Sequence, residues 1–198
     1  MKPILFNTEM VRAILDGRKT TTRRVIKGIA LDWLTKGCFT SKFVASPDNY
    51  LAPYTVGDVL YVRETFTELC RTDENGYTHY NESFYLYAAD SLQIDLYDGD
   101  GFLLDDQRIK WHPSIHMPKE AARIFLRVTD VRAERLQDME NAPSGFNNPF
   151  CKEGVKYECD FIALWNRTIK KSDLDKYGWD ANPWVWVYEF ERCEKEGA

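Results

Sequence analysis

Residues 182–193, NPWVWVYEFERC, place Trp184, Trp186, Tyr188 and Phe190 at every second position, with Val185, Val187 and Glu189 between them. Successive side chains on a pleated chain point to opposite faces, so this alternation predicts a strand. Two tryptophans on one strand face read more readily as core than as a cofactor platform. Upstream, RIFLRVTDVRAERLQDM predicts a long strand from about Arg123 to Val131. TVGDVLYVRETF predicts a turn at Gly57-Asp58 and then a strand, with Val59, Tyr61 and Arg63 on one side and Leu60, Val62 and Glu64 on the other. ENGYTHYNESFYLYAAD sets Asn75-Gly76 between aromatic flanks, which is a hairpin signal. The Asp- and Gly-rich stretch from Tyr97 to Trp111 reads as a loop insertion on that hairpin.

Helices are fewer. Asn7 or Thr8 can cap one in which Met10, Val11, Ile14 and Leu15 recur at helical spacing until Gly17 stops it. A second, in ECDFIALWNRTI, carries Phe161, Leu164, Trp165 and Thr168 along one stripe. Short strands dominate and repeated β-α-β units are absent, so this order fits a parallel α/β sheet less well. The expected class is α+β: a small, partly open β-barrel with helices covering its ends and a β-hairpin insertion. The chain, 198 residues long, fits one domain spanning 1–198, with an insertion near 68–112.

Net charge is −5, so the whole molecule repels polyphosphates, and any nucleic-acid contact has to be local. DGRKTTTRR, residues 16–24, supplies such a place: Arg18, Lys19, Arg23, Arg24 and Lys27 crowd around three threonines just after a predicted helix end. Cations are favoured there by the helix dipole, and a basic run of this kind ordinarily makes a solvated face. The β-branched threonines predict an extended segment in which Thr20, Thr22 and Arg24 share one side. No apolar run is long enough to span a bilayer, and MKPILFNTEM lacks the apolar core and cleavage site of a signal peptide. Five cysteines without a C-x-x-C pair read as reduced thiols. A cytoplasmic protein without membrane contact is expected.

His112 and His116 match a metal-binding helical spacing, but the prolines of HPSIHMP break the helix that such a site needs, so no metal is expected. P-loop, dinucleotide-binding and G-x-S-x-G signatures are absent, and no cofactor or obligate protein partner is implied. Trp179, in the polar turn YGWDANP, is the aromatic expected to stand exposed near a site, and Arg63 and Glu64 are expected to line a cleft.

With ILDGRKTTTRR, VGDVLYVRETF and NPWVWVYEF in this order, the chain resembles the ASCH domain family, small β-barrels of the PUA-like class. It is more closely similar to the longer ASCH-like proteins of bacteriophages and prophages, which carry PSIHMP, RLQD and GWDANPWVWV segments. Residues 28–50 and 140–152 are the less familiar stretches, the latter a second insertion. The resemblance implies a cleft suited to RNA or a modified nucleoside. One branch of the family hydrolyses the acetyl amide of 4-acetylcytidine with a Lys, a Thr three residues later and a downstream Glu, and another member type is associated with ribonuclease activity. The first two positions fall on Lys19 and Thr22. For the acid, Glu153 in CKEGVKYECDF matches the family's Glu-Gly-apolar pattern; Glu140 in DMENAPSG and Glu64 are the alternatives.

In this reading Lys19, Thr22 and Glu153 are the catalytic candidates. Arg18, Thr20, Arg23, Arg24, Arg63, Glu64 and Trp179 are candidate holders of substrate. Lys19 and Thr22 are expected to share a solvent-accessible cleft with Arg24 close by, so that Lys19→Met would change stability by less than about 1 kcal/mol. A Lys lowered by burial or by neighbouring arginines can take a proton from a Thr hydroxyl. The same residues also make an ordinary binding cleft, so a binding module and a hydrolase or ribonuclease both remain open.

Overall fold

The computed structural model describes residues 1–72, 78–90, 96–97, 103–104, 109–141 and 148–195. The Asn75-Gly76 turn, most of the Tyr97–Trp111 insertion and residues 142–147 of the 140–152 insertion lie outside these residues. In chain order the elements are β1 (Lys2–Leu5), α1 (Thr8–Leu15), β2 (Thr21–Val25), α2 (Ile29–Thr35), α3 (Ser41–Val44), β3 (Val59–Arg63), β4 (Phe66–Thr72), β5 (Thr78–Tyr87), β6 (Leu96–Tyr97), β7 (Leu103–Leu104), β8 (Phe125–Arg135), α4 (Pro149–Lys152), α5 (Glu158–Thr168), α6 (Leu174–Tyr177) and β9 (Trp184–Cys193). The chain is α+β, with a five-stranded sheet in the order β1-β3-β8-β9-β2 and two-stranded pairs β4-β5 and β6-β7. Among the described residues no helix is long and apolar enough to cross a membrane. Cys38, Cys70, Cys151 and Cys159 are free thiols.

Contacts divide the chain into two compact units. One holds Met1, Ala13–Leu60 and Phe125–Ala198; the other holds Lys2–Arg12 and Tyr61–Ile124. In the first unit β9 lies between β8 and β2, antiparallel to both. Burial on both faces is the consequence: Val185, Trp186, Val187 and Tyr188 are all buried. On the odd-numbered face, Val185 and Val187 join Leu136, Met139, Phe150, Phe161, Trp165 and Trp179 in one apolar cluster, with Val25 packed against it.

The register of β8 decides what the rest of that face carries. Val128 lies opposite Phe190, but the register shifts between Val128 and Asp130, so Asp130 lies opposite Glu189, Arg132 opposite Val187 and Glu134 opposite Val185. A one-residue bulge moves every later side chain to the other face. Thr129 therefore turns Asp130, Arg132 and Glu134 onto the odd-numbered face, beside Thr21 and Arg23 of β2, which lie opposite Glu189 and Val187. β8 also runs four residues past the expected end at Val131, because Arg132 to Arg135 find partners on β9.

In the second unit the hairpin flanks pair as expected, Phe66 with Tyr87 through Cys70 with Ser83. Asn7 caps α1, its side chain accepting from Met10 N–H at 2.8 Å. His116 ends a 3₁₀ turn, Ser114–His116, and His112 bridges to Phe66 instead of sharing a helix with His116.

Candidate functional site

The path from α1 into β2 is set by a reversal at Gly17. Its φ of 73° is left-handed, and the N–H groups of Gly17 and Arg18 close onto the carbonyls of Ile14 and Ala13 at 3.0 and 2.8 Å. The chain then runs alongside the end of α4. Lys19 forms an antiparallel bridge with Glu153, and Thr20 N–H donates to Lys152 O at 2.9 Å. Asn148 caps α4 by accepting from Phe150 N–H at 2.8 Å, and Phe150 anchors it in the core. Gly154, with φ of 88°, follows Glu153 where a Cβ would sit 2.7 Å from Ala13 Cβ and 3.1 Å from Lys19 Cβ. Only glycine fits this crossing without displacement.

That crossing buries a charged cluster. Lys19 Nζ donates to Glu153 Oε2 at 2.5 Å, to Thr21 O at 2.8 Å and to Glu153 O at 3.1 Å. Arg23 Nη1 donates to Glu153 Oε1 at 2.9 Å. The side chains of Lys19, Arg23 and Glu153 are 0, 4 and 4% exposed, so one carboxylate is shared by two buried cations. Burial lowers the Lys19 ammonium from its ordinary value; Glu153 opposes this, and Arg24 and Arg23 add to it.

The remaining candidates divide by strand parity. Thr21 and Arg23 face the bulged side of β8, whereas Thr22 and Arg24 lie on the opposite face, in register with Tyr188 and Trp186. Thr22 is buried and Arg24 half-buried. Burial lowers Arg24, against the pull of Glu153, Tyr54 and Tyr188, and raises the Tyr54 and Tyr188 phenols, whose rings meet edge-on at 5.1 Å. Lys19 and Thr22 are 2 and 1% exposed, so the expectation that both stand in a solvent-accessible cleft is corrected. The reason is the dense crossing at Gly154 for Lys19 and the flanking strand β9 for Thr22.

A cavity of about 310 Å³ opens on the Thr21 face, lined by Thr21, Arg23, Arg132, Glu134, Asp138, Met139, Pro149, Lys152 and Glu189. Arg132 is held by Asp130, by Glu134 at 2.7 Å and by Glu189 at 2.9 Å. Burial acts to lower this guanidinium, but the three carboxylates more than offset it and hold it above its usual range. Among the described residues, two buried polar atoms of the lining, Thr21 Oγ1 and Arg23 Nε, find no hydrogen-bond partner. Buried polar groups are nearly always paired, so such atoms call for a physical reason.

Other candidates are employed elsewhere. Arg18 is exposed and bonded to Asp16 and to Gly154 O, and Thr20 is exposed, its carbonyl accepting from Phe190 N–H. Glu140 is exposed on the 3₁₀ helix Leu136–Asn141. In the second unit Arg63 is half-buried and donates to Ile115 O, while Glu64 is 1% exposed and bidentate to Arg123 at 3.0 Å. Trp179 is 6% exposed in the apolar cluster, contrary to the expected exposed position. Its N–H donates to the Asn166 side chain, Asn182 turns the chain at φ 43°, and its ring meets Phe161 edge-on at 5.9 Å. The polar turn thus folds the Trp179 ring inward.

Arg132, Glu134 and Glu189 escaped the sequence reading, although charges at Asp130, Arg132 and Glu134 alternate with period two in a strand segment, a visible signal for a polar sheet face. Compared with family models, with curated proteins and with solved structures, the chain gave no match.

Proposed function

We propose that this is a nucleoside-recognising protein of the PUA-like, ASCH-related type, a small partly open barrel that binds RNA or a modified nucleoside against β2. The observation that carries the reading is the pair of unpartnered buried atoms, Thr21 Oγ1 and Arg23 Nε, on residues lining the 310 Å³ cavity. That volume is at the small end of ligand pockets and suits one nucleoside. Its lining balances Arg23, Arg132 and Lys152 against Glu134, Asp138 and Glu189, so a polyphosphate gains no net attraction, whereas a neutral ligand with both donors and acceptors finds partners for each. A guanidinium N–H suits a base or acyl carbonyl; the carboxylates suit ribose hydroxyls. The Lys19–Glu153 pair then works as a support, since Glu153 fixes the Arg23 guanidinium.

The buried Lys19 supports a second reading, amide hydrolysis on an acylated nucleoside. Thr22, the nucleophile that the resemblance implies, is 1% exposed on the face of β2 opposite Thr21, away from the cavity, so what supports this reading is the buried Lys19–Glu153 pair alone.

Calorimetric titration with cytidine and 4-acetylcytidine, combined with chromatography for released cytidine and acetate, tests both. Binding without turnover that Thr21→Val weakens supports the first reading. Turnover lost in Lys19→Met supports the second. Neither binding nor turnover with any nucleoside or short RNA would reject both.

A further inference from the structure

The cavity lining is graded in depth. Thr21 and Arg23 are buried, whereas the side chains of Glu134, Glu189 and Lys152 are 29, 30 and 35% exposed. The buried donors thus lie at the inner end, and carboxylates with one ammonium lie towards solvent. The three carboxylates of the lining are not equally engaged. Asp138 Oδ2 accepts from Arg135 N–H at 3.0 Å. Glu134 gives one oxygen to Arg132 Nε at 2.7 Å and turns the other towards Arg23 Nη2 at 3.9 Å. Among the described residues Glu189 is engaged through Oε1 alone, which accepts from Arg132 Nη1 at 2.9 Å and lies 3.8 Å from Lys152 Nζ. Its Oε2 is left as an acceptor.

Glu189 lies directly opposite Thr21 in the register of β2 on β9. Facing residues of an antiparallel pair hold their Cβ atoms about 4.5–5.5 Å apart. Even so, Thr21 Oγ1 makes no bond to the carboxylate. A donor and an acceptor this close that do not meet fit a ligand group set between them, accepting from one and donating to the other. A hydroxyl does both. The polar edge atoms of a natural base each do one or the other, so on a nucleoside the sugar hydroxyls suit this pair. Arg23 Nε, two residues along the same face, only donates, and it is the partner that remains for a base carbonyl.

We infer that Glu189, beside Thr21, reads the ribose 2′,3′-diol, so that the cavity takes ribonucleosides in preference to deoxyribonucleosides. The inference rests on the nucleoside reading above and names the sugar as what the site selects. Calorimetric titration of the full chain with the four common ribonucleosides and 4-acetylcytidine, each beside its 2′-deoxy and 3′-deoxy forms, tests it. A ribonucleoside that binds does so at least about tenfold more tightly than its deoxy forms, the lower end for one hydrogen bond to a charged group. Glu189→Ala brings that ratio close to one, and Glu189→Gln, which keeps an acceptor oxygen, retains part of it. The readout is a ratio between two ligands on one variant, so a general loosening of Arg132 or Lys152 does not imitate the result. Deoxy forms that bind as tightly as the ribonucleosides would overturn the inference and leave the nucleoside reading standing. A preference for ribose that Glu189→Ala does not alter would remove Glu189 from the role. Binding of none of these nucleosides would overturn the inference together with the reading on which it rests.

Discussion

Lys19 Nζ lies 2.5 Å from Glu153 Oε2, with both side chains buried and 134 residues of sequence between them. Arg23 takes the other oxygen of the same carboxylate at 2.9 Å. The three charges are therefore unequal in importance. Glu153 neutralises two buried cations, whereas each cation, if lost, leaves the other pair standing.

Removing Glu153 should accordingly cost more than removing Lys19. Breaking a buried pair by taking one partner typically costs about 3–5 kcal/mol, because the other charge is left uncompensated. Glu153→Gln is expected near that range, and Lys19→Met at about 2–3 kcal/mol, since Glu153 keeps Arg23. Burial thus replaces the expectation of under about 1 kcal/mol drawn from an exposed lysine. Urea unfolding midpoints measure the order; equal losses would show that Arg23 does not share the carboxylate.

The lowered Lys19 sets a pH dependence. Burial, opposed by Glu153, depresses its folded value below the ordinary 10.5, so between the two values the unfolded chain binds more protons than the folded one. Stability rises with pH wherever the unfolded state holds the extra proton. The wild type should therefore gain stability relative to Lys19→Met as pH climbs towards 10.5, and the gap should stop changing above it. Paired denaturation curves from neutral pH upward check the sign; a gap that widens against the wild type would contradict it.

Gly154 holds the two halves of the cluster together by having no side chain. A Cβ there would sit 2.7 Å from Ala13 Cβ, and the φ of 88° is left-handed. Gly154→Ala should cost about 2–4 kcal/mol, combining overpacking with backbone strain. In a chain of this size that lowers Tm by roughly 4–16 °C. An unchanged Tm would mean the crossing at Lys19 is looser than its geometry indicates.

How much of this was legible in the sequence depends on the range of the interaction. Local rules sufficed for α1, its Gly17 stop, the extended β2 and the central β9, because each rests on spacing within a few residues. Glu153 was reachable only through the resemblance, whose Glu-Gly-apolar pattern it matches, since nothing in spacing alone joins residue 153 to residue 19. The bulge at Thr129 was not legible: VTDVRAER alternates equally well in either register, and only pairing with β9 decides which face receives Arg132. Trp179 misled for a related reason. Its neighbours are polar, and the inward turn depends on Asn166 of α5, 13 residues earlier.

Trp179 therefore tests core against site. With its ring against Phe161 and its surroundings buried, Trp179→Ala should cost about 3–5 kcal/mol. Trp179→Phe should cost distinctly less and leave nucleoside affinity unchanged. Calorimetric Tm together with ligand titration separates these outcomes; intact stability with lost affinity would return Trp179 to the site.

Thr21→Val gives the sharpest contrast, since it separates the needs of the fold from those of a ligand. Thr21 Oγ1 is buried without a partner among the described residues, so folding already bears the cost of desolvating it. Exchanging a buried, unpaired hydroxyl for a methyl of nearly the same volume removes that cost and leaves no cavity. The variant should be as stable as the wild type or more stable by about 1 kcal/mol. A residue kept for structure would show the opposite sign. A residue kept for a ligand should instead lose affinity, and one hydrogen bond worth about 1 kcal/mol corresponds to a fall of roughly fivefold in nucleoside binding. Denaturation and nucleoside titration on the same variant decide the matter: a loss of stability with unchanged binding would assign Thr21 to the fold and leave Arg23 Nε as the sole remaining mark of a ligand site.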